Sequence, residues 1–154
     1  MTYMEEIFFS STFGGETLSL SAAIANIDKI EKYDVINVNK KSGNTLIKEL
    51  NKVLEDLNLI NCIYISNIDW WPQLILKENN SDLFISLLRQ EFLKNGLLIS
   101  GTFNLCYAHS NEGILNDTIK KFGKAVYVWK DYINSKNPEK YLQGDLIQKT
   151  FKVR

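Results

Sequence analysis

The strongest constraint on the fold lies near the end of the chain. Leu115, Ile119, Phe122, Val126, Trp129 and Ile133 recur at steps of four, three, four, three and four residues. Such steps put side chains on one face of an α-helix. A stripe that carries a phenylalanine and a tryptophan needs a buried groove to lie in. The rest of the chain must therefore supply a surface for one long amphipathic helix. Ser110 or Asn111 stands where that helix would be capped.

Upstream, three more helical patterns appear. Leu18, Ala22, Ala25, Ile27 and Ile30 open the first, with Thr17 or Ser19 placed to cap it. A second stretch runs over Asp34–Leu57, clearest where Leu46, Leu50, Val53 and Leu57 step by four, three and four. Gly43 interrupts it and marks a bend or a fresh start. The third covers Asp82–Asn95, with Phe84, Leu87, Leu88 and Phe92 on one face, Ser81 to cap it and Asn95-Gly96 to close it. Leu59–Ile68 is rich in Ile and reads as a strand, punctuated by Asp69–Pro72. Gln73–Lys77, Leu97–Ser100 and Leu105–Ala108 are further short strand candidates. Strands and helices without strict alternation predict an α+β fold. The expected arrangement is a small, mostly antiparallel sheet with helices packed on one face, preceded by a long helical segment. Residues 134–154 are polar and read as a tail that docks without adding a core element.

The chain's 154 residues suit one domain. Eighteen basic side chains balance eighteen acidic ones, so no global field favours nucleic acid or an anionic membrane. No apolar run is long enough to span a bilayer, and the N-terminus carries Glu5 and Glu6 rather than a secretory signal. Cys62 and Cys106 lie far apart in apolar runs, which predicts buried free thiols and a reducing cytoplasm.

Candidate chemistry is sparse. His109 is the sole histidine, and one His with two scattered Cys gives no metal-ligand spacing. Its expected role is a strand-end histidine bonded to backbone. No GxSxG, P-loop or GxGxxG occurs, and Cys106 has no recognised catalytic spacing to His109. Ser10, Ser11 and Thr12 put hydroxyls beside Gly14 and Gly15, just before a helix start. That is either a polar turn or a place where backbone N–H groups receive an anion. Trp70 and Trp71 are adjacent. They form a contact surface, or one packs in the core while the other covers a sheet edge.

Three segments resemble the C-terminal part of class III aminotransferases, which are fold-type I pyridoxal-phosphate (PLP) enzymes. Phe8–Ala23, FFSSTFGGETLSLSAA, resembles the segment that reads roughly FxSGTFxGNxLxxAA in that class. Leu93–His109, LKNGLLISGTFNLCYAH, resembles the glycine-closed helix, apolar strand and Ser/Ala-His pair near their C-terminus. The closing helix near Glu112 follows at the right distance. The resemblance spans about residues 5–133 and fits the glutamate-1-semialdehyde aminomutase branch best.

What the resemblance implies is specific. Residues 1–16 would be a remnant of the large domain with the phosphate-loop motif. Residues 17–133 would be a linking helix and C-terminal small domain, with 134–154 as the tail. Thr12, and Ser11 where the family often has Gly, would contact the PLP phosphate of a neighbouring subunit. Glu16 stands where many members carry Asn. The Schiff-base lysine and the pyridine-binding aspartate belong to a large domain that precedes the motif in the family, and no lysine precedes Thr12 here. No arginine falls in the strand region where many members clamp a carboxylate; Arg89 lies within a helix and Arg154 is terminal. The expectation is an aminotransferase or aminomutase segment with no catalytic residue and no metal of its own. It would not hold PLP stably alone. Its partners would be further copies of itself or a missing large PLP domain. The alternatives are one chain of a split enzyme and a stand-alone α+β interaction module.

Overall fold

The computed structural model describes residues 15–77 and 82–147. Its chain divides into two units, Met1–Asn37 and Val38–Arg154. The architecture is α+β. Among the described residues there are four α-helices, α1 Thr17–Lys32, α2 Val35–Asp56, α3 Asp82–Lys94 and α4 Glu112–Ile133. One antiparallel sheet joins β1, Ile63–Ile65, to β2, Leu74–Leu76. Short 3-10 turns occupy Tyr107–Ser110 and Pro138–Tyr141.

In the first unit, α1 buries none of its residues. Neither expected cap forms. Thr17 is already helical, and Glu16 takes the N-cap position with an extended backbone. The Ser19 hydroxyl instead donates to the Glu16 carboxylate.

The second unit holds the core. Leu46, Leu50 and Leu54 of α2, Ile63 and Ile65 of β1, Leu87, Leu88 and Phe92 of α3, and Phe122, Val126 and Trp129 of α4 pack into one cluster. The predicted stripe of α4 is thus the seam that closes this unit. Phe122 stacks on Phe92 at 5.6 Å, and the Trp129 indole N–H donates to the Phe84 carbonyl at 2.9 Å. Asn111 caps α4, its side-chain oxygen accepting from Gly113 N–H at 2.8 Å and Ile114 N–H at 3.3 Å. The cap satisfies Gly113 N–H and adds a second acceptor for Ile114 N–H, which also bonds the Asn111 carbonyl at 3.0 Å, and so fixes where the helix starts.

Gly43 neither bends nor restarts α2, which runs through it unbroken. The glycine is there for close approach. A Cβ at this position would stand 1.6 Å from the Asp69 carbonyl oxygen. Gly96 ends α3 as expected, at φ 74°. Leu97 N–H bonds back to the Phe92 carbonyl and Gly96 N–H to the Leu93 carbonyl, both at under 3 Å, which is a Schellman closure. Ser81 lies outside the described residues.

The sheet is smaller than the sequence predicts. Leu59–Cys62 is turn, and only Ile63–Ile65 of that run is strand. Asn51 of α2 explains the closed side. Its amide pairs with Ile65, accepting from the N–H at 2.8 Å and donating to the carbonyl at 3.2 Å. A side chain thereby occupies the position a third strand would take. On the other side, Leu97–Ser100 and Leu105–Ala108 form no strand. The chain meets β2 through a single bridge, Gln73 to Thr102, with Gly101 at φ 119° turning it away. Leu98 is left 93% exposed because no sheet extends over it.

The tail docks as expected. The Tyr141 ring stacks on Tyr132 at 4.4 Å. Gln90 donates to the Tyr141 carbonyl and accepts from Gln143 N–H, while Ile147 N–H reaches the Ser86 hydroxyl. No helix among the described residues is long and apolar enough to cross a membrane.

Candidate functional site

The expected phosphate contacts, Ser11 and Thr12, lie outside the described residues. The helix entrance that follows them is described, and it is not free for an anion. Glu16 places its own carboxylate at the positive end of α1 and accepts there from Ser19. A second negative group would be repelled from that spot. The described lysines give no complete PLP site either. Lys40, Lys94 and Lys121 pair with Asp69, Glu91 and Asp117, and Lys77 lies over the Tyr64 ring. The cavities walled by Arg89 and by His109 have no lysine, whereas Lys124 lines an open third cavity with Asn95, Gly123, Tyr127 and Val128. Beside Lys124 no described acidic side chain lines that space to pair with a pyridine nitrogen, and no second described cation lines it to meet a phosphate, so the described residues do not fit PLP.

Cys106 and His109 are brought together, which their spacing alone did not reveal. The thiol sulfur lies 3.2 Å from His109 Nδ1. The same nitrogen accepts the Cys106 backbone N–H at 3.0 Å. The histidine is thus bonded to backbone as expected, though in a 3-10 turn rather than at a strand end. A thiol and an imidazole at this distance can form a nucleophile–base pair. Here the backbone N–H competes for the one lone pair. Accepting the thiol proton at Nδ1 would break the bond that holds the turn, so the arrangement reads as structural. Both cysteines are free, as expected, but both are exposed rather than buried. Cys62 sits in the turn before β1 and Cys106 in the loop before the 3-10 turn, where no strand forms to cover them.

His109 also lines a cavity of about 280 Å³. Ser100, Thr102, Asn104 and Thr118 give it neutral polar walls, and Leu46, Phe103 and Leu115 its apolar ones. No group of three His, Cys, Asp or Glu side chains capable of holding a metal occurs among the described residues.

Trp70 and Trp71 are 69% and 42% exposed, so neither is the core residue that one reading expected. Pro72 is buried beneath them. At the foot of the same turn, the Asp69 Oδ1 atom is buried and accepts no hydrogen bond, and Asn39 Oδ1 is in the same condition.

Glu91 escaped the sequence reading. It is 4% exposed in α3, and its Oε1 accepts from Lys94 at 2.8 Å, Tyr132 at 3.1 Å and Gln90 at 3.2 Å. A buried carboxylate survives when several donors share its charge. The signal was present: Glu91 lies four residues after Leu87 and three after Leu88, inside the apolar face. Burial raises the Tyr132 phenol above its usual 10.0, and the neighbouring Glu91 charge adds to that. The Tyr141 phenol is lowered from its usual 10.0 by its hydrogen bonds with Lys140 and Ser135.

No protein-family model matches this chain, and no solved structure does. Among curated proteins, the glutamate-1-semialdehyde 2,1-aminomutase of Saccharolobus islandicus strain L.S.2.15 / Lassen #1 is 28% identical over 132 residues. The match covers 78% of this chain and 30% of the relative. The aminomutase of strain M.14.25 / Kamchatka #1 matches to the same extent. The chain thus spans about 30% of the length of the curated relatives it matches. This similarity supports a C-terminal region of the aminotransferase-like kind.

Proposed function

We propose that this chain is the C-terminal segment of a PLP-dependent aminotransferase or aminomutase, most similar to the glutamate-1-semialdehyde type, whose Schiff-base lysine is carried by other polypeptide. The observation that carries the reading is the match to the aminomutases, which takes in most of this chain and under a third of theirs. Two features support it. The described lysine that lines a cavity, Lys124, has no described acidic side chain beside it to pair with a pyridine nitrogen. And α1 leaves Leu18, Leu20, Ile24 and Ile27 exposed, which suits a helix covered by another polypeptide. In this reading, Ser11 and Thr12 hold the phosphate of a cofactor seated in the neighbouring subunit. PLP, once bound there, supplies the electron sink for amino-group transfer. The chain alone is catalytically inactive, and it self-associates through α1.

The test is to incubate the purified chain with PLP, reduce with borohydride and map the label. Scattered weak labelling of surface lysines and no transaminase activity are expected. A stoichiometric label on one lysine of this chain would overturn the reading. So would an upstream reading frame with no PLP domain. In light scattering, a clean monomer at high concentration would remove the self-association.

A second reading, an interaction module, is favoured by the exposed Trp70–Trp71 pair. It requires that Trp70→Ala with Trp71→Ala abolish a specific interaction while leaving the fold intact.

A further inference from the structure

A second cavity lies in the Val38–Arg154 unit, apart from every residue the PLP reading uses. It holds about 290 Å³ between α3, β2 and the chain at residues 99–101. Leu74, Leu76, Ile85, Leu88, Phe92 and Ile99 make its walls apolar. Leu88 and Phe92 are fully buried, so the floor of the cavity is the core itself.

One charged side chain lines this space, Arg89 of α3. Its Nη2 donates to the Ser100 carbonyl at 2.5 Å, which anchors one branch of the guanidinium across the cavity rim. A guanidinium has five N–H donors, so most remain uncommitted. Among the described residues no carboxylate stands within ion-pair distance of Arg89. A half-buried cation with no counter-charge, set beside apolar walls, attracts an anion more strongly than an open-surface arginine does.

We infer that this cavity binds a small monocarboxylate with a short hydrocarbon chain, such as a short fatty acid or a branched 2-oxo acid. The carboxylate would meet the free edge of the Arg89 guanidinium, whose fork geometry matches it. The hydrocarbon would lie against Leu74, Ile85 and Ile99. Inorganic phosphate fits less well. It brings more charge than one guanidinium offsets, and among the described residues no other cation lines the space. The volume sits at the lower limit for ligand cavities, about 300 Å³, which restricts the chain to a few carbons.

The inference does not depend on the PLP proposal and is tested without cofactor. The full-length chain, labelled with nitrogen-15, is titrated with hexanoate, and in parallel with hexanol and with phosphate. Saturable shifts are expected at the amides of residues 74–76 and 99–101, with hexanol and phosphate each weaker by about tenfold or more, the ratio expected for loss of one charge-assisted pair. Arg89→Gln should weaken hexanoate by a similar factor and leave hexanol unchanged. Ile85→Phe fills the cavity without touching the charge, and should weaken both hexanoate and hexanol. The inference is overturned if the folded parent chain shows no saturable shift. It is equally overturned if a folded Arg89→Gln or Ile85→Phe protein binds hexanoate as the parent does. Amide dispersion establishes folding in each case. Should Arg89→Gln not fold, Ile85→Phe decides alone.

Discussion

The first and last helices read alike in sequence and behave oppositely. Both α1 and α4 are rich in aliphatic residues at helical spacing. The first buries nothing. The last buries Leu115, Phe122, Ala125, Val126 and Trp129. The difference begins in the pattern itself. Leu18, Leu20, Ile24 and Ile27 of α1, with Ala22, Ala23 and Ala25 between them, spread around the helix, whereas the α4 residues hold one line. A single line fits one groove. Apolar residues spread around a helix call for cover on more than one side. The comparison separates apolar content, which both helices have, from a single apolar stripe, which α4 has and α1 lacks.

The largest expected contrast comes from truncating each helix at one point. Trp129→Ala should cost about 3–5 kcal/mol in denaturant unfolding, since it opens a cavity in the core. It also removes the indole N–H that donates to the Phe84 carbonyl. Ile24→Ala, on the exposed helix, should stay within about 0.5 kcal/mol. That holds at concentrations low enough to keep the chain monomeric; where the proposed self-association covers α1, the Ile24→Ala loss should grow with concentration, and one that stays large at high dilution would mean that α1 is covered within the single chain.

A smaller contrast lies at the helix starts. Asn111→Ala should destabilise by about 1 kcal/mol, because Gly113 N–H loses its side-chain acceptor and Ile114 N–H keeps only the Asn111 carbonyl. Ser19→Ala removes only a bond between two exposed side chains, and its thermal midpoint should hardly move. Equal losses from the two substitutions would show that the α1 entrance is also tied into a folded structure.

The smallest effect concerns the far end of α4 and appears only in alkali. Folding raises Tyr132 above 10.0, so the folded state holds that proton more tightly than the unfolded one. The stability this contributes is fully present below pH 10 and is lost as the pH rises through the folded value. In an absorbance titration Tyr141 should ionise before Tyr132. Tyr132→Phe should remove the late phase and flatten the alkaline loss. A late phase that persists in Tyr132→Phe would assign it to another phenol.

Much of the fold is legible from periodicity. All four helices stand within a residue or two of where their apolar spacing puts them, and Asn111 and Gly96 act as the cap and stop their types suggest. The sheet is less legible, because strand formation depends on what lies alongside. Nothing in the run from Leu59 to Ile68 tells that Asn51, on a different element, takes the hydrogen bonds of Ile65. Gly43 looked like a helix breaker because its local cost is visible and the Asp69 carbonyl against it is not. At the level of sites, the resemblance drew attention to Ser11 and Thr12. The Arg89 guanidinium, bonded to the Ser100 carbonyl and with no carboxylate in ion-pair distance among the described residues, emerges only when α3 is laid beside the chain at Ser100.

The Asn51 contact has a consequence for how this protein meets other chains. A strand with open edges is a template onto which any extended peptide can add, and that is how sheet proteins begin to aggregate. In this sheet the β1 edge is stoppered at Ile65 by a side chain that α2 holds in place. Only the β2 side, guarded by the single bridge to Thr102, could accept a newcomer. If this sheet is ever extended, it will grow in one direction.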